Sequence, residues 1–200
     1  MRLVFLIVIL ISFTSFNTNA DFWEDPKVTD YFSENGEYFV RVYPTEIPAK
    51  YWKWQQASPR RKAKFSKEDT TIILCHATLF KIEGKDTLEV WEHRLINRTA
   101  PVKVIVANDG SSIVTFDNWG SMGYGLDVMV TYDENGGLVK KYQLEDFSPY
   151  PINTYTMSIS SLWWRCGVQY IDNQKIEICF GNENNEEKKL TYNLVTYVFN

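Results

Sequence analysis

The chain has 200 residues, of which 44% are hydrophobic and 16% aromatic, and its formal net charge is −4 at neutral pH. This composition suffices for one domain with a sizeable core. The weak acidity argues against a nucleic acid as the main partner, because phosphate binding needs a net basic surface. No dinucleotide fingerprint or phosphate-binding glycine loop occurs, so we predict no cofactor.

The first twenty residues have the pattern of a cleavable signal peptide. Arg2 gives a positive start, residues 3–11 are almost entirely apolar, and Thr18 and Ala20 supply small residues at positions −3 and −1 of a cleavage site. The apolar run is shorter than the about 20 residues of a membrane-spanning helix. We expect an exported protein, periplasmic or extracellular, in which residues 21–200 form one β-rich domain; an uncleaved anchor is the alternative.

Turn residues that alternate with short β-rich runs recur along the rest of the chain. Two Asn/Gly turns divide the clearest runs, which are residues 102–106, 112–116, 127–132 and 138–142. Asn and Gly tolerate the positive φ of hairpin turns, and β-branched or aromatic residues suit the strands. Several runs are apolar on both faces, which is typical of strands covered on both sides by other sheets.

These features predict an all-β fold. We expect three meander units of short antiparallel strands, about residues 28–95, 102–147 and 157–197, packed as an incomplete propeller-like stack or as a sandwich. Four antiparallel strands per unit are the pattern of a propeller blade, but propellers close with four or more blades. Either the sheets form an open stack, or chains associate to complete a larger assembly.

The stretch from about Pro101 to Trp164 carries a series of short motifs. In chain order they are APV (100–102), NDG (108–110), VTFDNW (114–119), GYG (123–125), VTYD (130–133), LED (144–146) and SSLWW (160–164). With these motifs the chain resembles small exported bacterial proteins that have propeller-like, blade-type β-repeats and no assigned activity. The resemblance implies a fold and an address in the bacterial envelope, and it supplies no catalytic residues.

The cysteines suit an exported protein with one disulfide. A two-residue turn at Asp172 and Asn173 would place Cys166 opposite Cys179, close enough for a cross-strand bridge. A one-residue change in the turn would destroy this register, so bonded and free thiols both remain open. Cys75 lies in an apolar run and is most simply a small buried side chain. The spacing of the cysteines and histidines matches no zinc motif, and we predict no metal site.

The loop 117–125 is the first candidate binding site. It contains Asp117, Asn118, Trp119 and Tyr124 together with three glycines. A carboxylate, an amide and two aromatic rings are what a sugar or peptide site uses. The alternative is that the glycines permit a tight connection while the two rings cover the edge of a sheet.

Trp163, Trp164 and Arg165 form the second candidate. Adjacent residues of a strand face opposite ways, so one tryptophan can pack inward while the other is presented beside the cation of Arg165. An exposed ring next to a cation suits a flat or anionic ligand. Core packing of both rings in stacked sheets is the alternative.

Residues 50–67 form the third candidate, a stretch with seven lysines and arginines, no carboxylate and two tryptophans. Such a stretch suits contact with an anionic membrane surface, an acidic polysaccharide, lipopolysaccharide or a protein partner. The alternative is a solvated insertion whose cations balance an otherwise acidic body. The residues predicted to form this anionic-surface patch are Lys53, Arg60, Arg61, Lys62 and Lys64.

No catalytic constellation is recognisable in the sequence. The two histidines, His76 and His93, lie on predicted strands, and no nucleophile-elbow motif accompanies them. We therefore predict a non-enzymatic binding module that acts through its loops, with a protein or a carbohydrate as partner. Two alternatives stay open: a structural component that pairs through exposed sheet edges, and an unrecognised hydrolase that uses Asp117 and a histidine.

Overall fold

The computed structural model describes residues 22–172 and 174–200, so the predicted signal peptide, residues 1–20, lies outside the described residues. Their strands are β1 (Thr29–Phe32), β2 (Tyr38–Tyr43), β3 (His76–Glu83), β4 (Asp86–Arg94), β5 (Pro101–Val106), β6 (Ser112–Asn118), β7 (Met129–Asp133), β8 (Leu138–Tyr142), β9 (Thr156–Met157), β10 (Leu162–Trp163), β11 (Arg165–Asp172), β12 (Lys175–Gly181), β13 (Glu187–Asn193) and β14 (Val198–Phe199). The helical segments are α1 (Tyr51–Gln55), α2 (Pro59–Lys62) and two 3₁₀ turns, Leu144–Asp146 and Ile152–Thr154.

The strands form four antiparallel sheets, which confirms the predicted mostly-β fold. Three of the sheets have four strands each, arranged in the order of the chain: sheet I (β1–β4), sheet II (β5–β8) and sheet III (β11–β14). A fourth, small sheet pairs β9 with β10. Within the described residues, no helix has the length and hydrophobicity that crossing a membrane requires.

Local sequence explains the first hairpin of sheet II. Gly110 lies in the turn between β5 and β6 with a φ of 72°, a left-handed conformation that glycine adopts at little cost. The flanking strands are rich in valine and isoleucine, which pack well on a pleated sheet. The predicted strands 102–106 and 112–116 are confirmed, each slightly longer in the structure than in the prediction.

Sheet II is covered on both faces. One core cluster joins Ile113, Val130 and Tyr132 of sheet II to Val40 and Leu79 of sheet I. A second cluster joins the opposite face of sheet II to sheet III, and its members include Val114, Phe116, Met129, Ile176, Ile178 and Phe180. All seven residues of β6 are buried. Because burying one Val, Ile or Phe side chain contributes about 1.5–3 kcal/mol, these two interfaces hold the three sheets together.

Cys166 and Cys179 form a disulfide with their Cα atoms 5.2 Å apart, but the register predicted from the turn is wrong. Asp172 pairs with Lys175, and two bulges shift the ladder between this pair and the other end of β11. Cys166 lies in one of those bulges. The bond therefore depends on an irregularity that counting from the turn does not reveal. Cys75 is fully buried and free.

Candidate functional site

Asp117 lies near the end of β6, is completely buried and accepts three hydrogen bonds. Its Oδ1 atom accepts from the indole Nε1 of Trp164 at 2.8 Å and from the backbone N–H of Gly123 at 2.8 Å. Its Oδ2 atom accepts from Nη2 of Arg165 at 3.0 Å. One carboxylate thus ties β6 to the loop that follows it and to the start of β11.

Burial raises the pKa of Asp117 above the ordinary value of an aspartate, and the charge of Arg165 with the hydrogen bonds from Trp164 and Gly123 opposes that effect. All three partners are donors. A protonated carboxyl would need an acceptor for its own proton, whereas the carboxylate uses all three donors. The surroundings are therefore built to hold the ionised form at neutral pH, as a structural link between elements.

Gly123 is required by this link. Its φ of 75° is left-handed, and a Cβ atom there would lie 2.7 Å from the Cβ of Leu162 and 3.0 Å from the Trp164 ring. Any other residue at this position would displace the backbone that donates to Asp117. The glycine interpretation of this part of the loop, a tight and unusual connection, is the one that its contacts favour.

The side chains of the second candidate separate to opposite sides of the chain. Trp164 is fully buried and Trp163 is 55% exposed, so one ring packs inward while the other is presented to solvent. Arg165 does not accompany Trp163: its side chain is only 11% exposed, and the guanidinium lies 5.0 Å from the Phe116 ring centroid and 5.5 Å from that of Trp164.

Arg165 lies away from Trp163 because the strand is broken between these two residues. β10 ends at Trp163, β11 begins at Arg165, and the Trp164 N–H bonds to the carbonyl of Leu162 at 3.0 Å. This local bend interrupts the alternation, so Arg165 turns toward Asp117. The exposed ring beside a cation that the sequence suggested is not formed by these residues.

Asn118 is buried and also has a structural role. Its Oδ1 atom accepts from Nδ2 of Asn97 at 3.2 Å and from the backbone N–H of Arg98 at 3.1 Å. The two bonds fix the segment before β5 against the end of β6. Asn118 thereby positions the exposed Arg98, which no sequence pattern singles out.

Trp119 and Tyr124 are partly exposed and border open space. The Trp119 indole donates to the carbonyl of Glu24 at 2.8 Å, and its ring meets that of Trp23 edge-on at 5.3 Å. These contacts hold the Trp119 ring in one orientation. Tyr124 packs against the core cluster between sheets II and III while part of its ring stays accessible.

A groove of about 710 Å³ lies beside these two rings. Five stretches line it: the loop 118–127, the helix α1, and the segments 45–47, 72–74 and 98–99, which lie next to strands β2, β3 and β5. Its aromatic members are Tyr51, Trp52, Trp119 and Tyr124. Arg98 and Asp127 are the two charged residues of the lining. The structure therefore brings the first candidate loop and the N-terminal part of the basic segment together in one groove.

The basic segment forms the two short helices α1 and α2, and none of their residues is buried. Trp52 is 60% exposed, and its ring meets that of Tyr51 edge-on at 5.2 Å. Lys50 is paired with Asp69 at 3.0 Å. Most of this segment is exposed, as a solvated insertion would be, whereas Tyr51 and Trp52 form part of the groove wall.

Backbone pairing holds the floor of the groove. Glu46 and Ile73 exchange two hydrogen bonds of 2.8 and 3.0 Å, and the Thr45 N–H donates to the carbonyl of Thr99 at 2.8 Å. The Thr45 hydroxyl donates to the carbonyl of Arg98 at 2.8 Å. These bonds join segments that are far apart in the chain, so no short sequence pattern predicts the groove.

The histidines lie apart from Asp117 in the contacts they make. The His76 ring stacks on Tyr43 at 4.6 Å, and its Nδ1 lies 3.0 Å from the carbonyl of Leu74. His93 packs edge-on against Trp91 at 6.0 Å. The three partners of the Asp117 carboxylate leave it no contact with either histidine.

Cys166, Cys179 and Glu187 are the one group with metal-ligand proximity in the described residues. Because the two sulfurs are bonded to each other, they are not available as metal ligands.

Comparisons with protein-family models, with curated proteins and with solved structures find no match in any of the three. The function is therefore argued from the geometry of this chain.

Proposed function

We propose that the protein is an exported, non-enzymatic binding module whose groove accepts a carbohydrate chain. The observation that carries the proposal is the meeting of four aromatic rings from two separate segments in one open groove. Aromatic rings bind the apolar faces of sugar rings, while a few polar groups set the orientation. Arg98 and Asp127 supply those polar groups here.

The non-enzymatic part of the proposal is supported by the state of Asp117. This carboxylate was the candidate acid of the hydrolase alternative, but it is completely buried, and both of its oxygens are already bonded. A catalytic carboxylate must reach substrate or water. The contacts of Asp117 fit a structural role instead.

The exported address rests on two observations. The disulfide between Cys166 and Cys179 is compatible with an oxidising compartment. The leading residues have the composition of a signal peptide. Within the same proposal we place the resemblance to small exported bacterial proteins.

A propeller-like arrangement of the sheets belongs to the proposal as well. Its support is that sheets I, II and III each follow chain order and that the first strands of sheets I and II, β1 and β5, contact each other. In a propeller the first strands of successive blades surround a common axis. An open stack of three blades would leave two outer faces uncovered.

The assembly alternative has weaker support. The edge strand β4 is nearly all exposed, as a pairing edge would be. It carries Asp86, Glu89, Glu92 and Arg94, however, and charged side chains on an edge strand disfavour pairing with another chain.

Thermal melting with a panel of soluble neutral and acidic polysaccharides tests the binding proposal. We expect at least one polysaccharide to raise the melting temperature, because a ligand that binds only the folded state stabilises it. Trp52→Ala should reduce the shift clearly while changing the stability of the free protein by less than about 0.5 kcal/mol, since the ring is largely solvated.

Trp163→Ala is the matched control, because Trp163 is exposed to a similar extent but does not line the groove. It should retain the shift. A shift that survives Trp52→Ala in full, or that Trp163→Ala abolishes, would place the ligand elsewhere and overturn the proposal. The absence of a shift with every polysaccharide of the panel would overturn it too.

A further inference from the structure

Uncompensated positive charge lies beside the groove. Lys53, Arg60, Arg61 and Lys64 are exposed and take part in none of the ion pairs of the described residues. The groove lining itself is balanced, with one cation, Arg98, and one carboxylate. A cluster of unpaired cations thus lies next to the groove, on α1, on α2 and on the residues that directly follow α2.

Ring contacts connect this charge to the groove wall. The Tyr51 ring, which lines the groove, lies 5.6 Å from the Trp54 ring, and the Lys62 ammonium lies 5.1 Å from that same Trp54 ring. α1 and α2 are in contact. The cations of α2 therefore lie next to the groove, separated from its wall by a few side chains.

We infer that the ligand of the groove is an acidic polysaccharide, whose sugar rings stack on the groove aromatics while its carboxylates or sulfates extend over α2. This inference rests on the proposed function. The cations lie outside the groove, so a ligand that uses both must be longer than the groove, as a polymer is. Because the cations are exposed to solvent, salt screens their attraction for an anionic polymer.

An anionic membrane is the other surface that such cations suit. Membrane binding through a helix requires a continuous apolar face beside the charges. α1 has five residues and α2 four, and the exposed Trp52 turns toward the groove rather than standing on a common face with the cations of α2. The aromatic and basic features therefore fit a groove-bound polymer better than a lipid surface.

Binding of polygalacturonate, measured by tryptophan fluorescence or calorimetry at about 50 and about 500 mM salt, tests the inference. The neutral polymer dextran and vesicles of anionic lipid serve as comparison probes. We expect polygalacturonate to bind more tightly than dextran and to lose affinity as salt rises.

Two variants separate the contributions. Arg60→Gln with Arg61→Gln should weaken polygalacturonate binding about tenfold at low salt and reduce the salt dependence, because two surface cations are lost. Trp52→Ala should weaken binding about fivefold or more at both salt concentrations, because a stacking contact is lost. Lys85→Gln with Lys141→Gln removes two equally exposed cations outside the groove lining and should change little.

Each other outcome has a definite meaning. If dextran binds in the groove as tightly as polygalacturonate and salt has no effect, the inference fails and the proposed function stands. If neither polymer binds, the inference fails, and the proposed function is decided by the melting experiment with the full panel. The inference also fails if Arg60→Gln with Arg61→Gln binds polygalacturonate as the wild type does, or if only the anionic vesicles bind.

Discussion

The loop 117–125 has two halves that face opposite surroundings. Asp117 and Gly123 turn into the core, where every polar contact of the carboxylate is made by protein groups. Trp119 and Tyr124, within a few residues of them, border the groove and keep part of their rings accessible. The sequence groups all four residues together, whereas the structure gives them two separate tasks.

The buried contacts of the loop 117–125 help to fix the positions of its groove-lining rings. A ring that is to bind a ligand loses less affinity when its backbone is already fixed. The Asp117 link fixes Gly123, whose neighbour is Tyr124, and Trp119 is held by its bonds to Glu24 and to Ala100. The groove side of the loop is thus supported by a buried ion pair that does not itself line the groove.

Asp117→Ala should break this arrangement and have the largest effect. The change leaves the buried Arg165 guanidinium and the Trp164 N–H without their acceptor, and breaking a buried charge pair costs about 3–5 kcal/mol. Urea unfolding followed by far-UV circular dichroism measures the loss. A change below about 0.5 kcal/mol would show that the carboxylate is not a structural link.

The double variant Asp117→Ala with Arg165→Met provides the control. It removes both charges, so no unpaired cation remains in the core, and it should be more stable than the sum of the two single changes predicts. If the single Asp117→Ala chain does not fold, a folded double variant would still identify the unpaired Arg165 as the cause. If the free-energy changes of the two single variants simply add, Asp117 and Arg165 are not energetically coupled and the prediction is wrong.

Removing the disulfide should have the next largest effect, and it also tests the buried contacts around Asp117. Cys166 follows Arg165 directly, so its bond to Cys179 restrains the end of β11 that reaches Asp117. Replacing both cysteines with serine should cost about 3 kcal/mol for a loop of this length. The same unfolding experiment measures it, with reduced wild type as a second form of the change. Equal stability of oxidised and reduced protein would contradict this prediction.

The smallest expected effect concerns Cys75, at the border between groove and core. Leu74 lines the groove, while Cys75 next to it is fully buried, and burial raises the pKa of its thiol to about 12. The native thiol should therefore resist a disulfide reagent at pH 8 and react once the protein is unfolded in urea.

The same thiol makes stability depend on pH. The unfolded thiol ionises near pH 9 and the folded one near 12, so between these values the unfolded state holds fewer protons and stability falls as pH rises. The Cys75 contribution is at most about 1.4 kcal/mol per pH unit. Unfolding curves between pH 8 and pH 10.5 should show a smaller slope for Cys75→Ala, which isolates it from the buried tyrosines. An identical slope would contradict the prediction.

The strands and turns of sheet II could be predicted because their signals are local. An Asn/Gly turn and its flanking β-branched residues lie within about fifteen residues of each other, and the two-sided apolar pattern of β6 reports the covered faces directly. The register of β11 with β12 could not be predicted in the same way. Its bulges are set by packing against other elements, and each bulge shifts every later pair by one residue.

The candidate site was predictable only in parts. Trp119, Tyr124 and the basic segment stand out in the sequence as aromatic or charged groups, but their convergence depends on the pairing of residues 45–46 with 73 and 99. Arg98 carries no local signal, because its position is fixed by the side chain of Asn118. The direction of Arg165 was mispredicted since a bend at Trp164 interrupts the strand.

The two covered faces of sheet II have a consequence for the order in which the protein can mature. A chain that has emerged only as far as residue 147 has the material for sheets I and II, but the face that packs on sheet III is still bare and apolar. Such an intermediate is prone to aggregate. Residues 148–200, about a quarter of the chain, thus supply the cover for that face together with Arg165 and both partners of the disulfide.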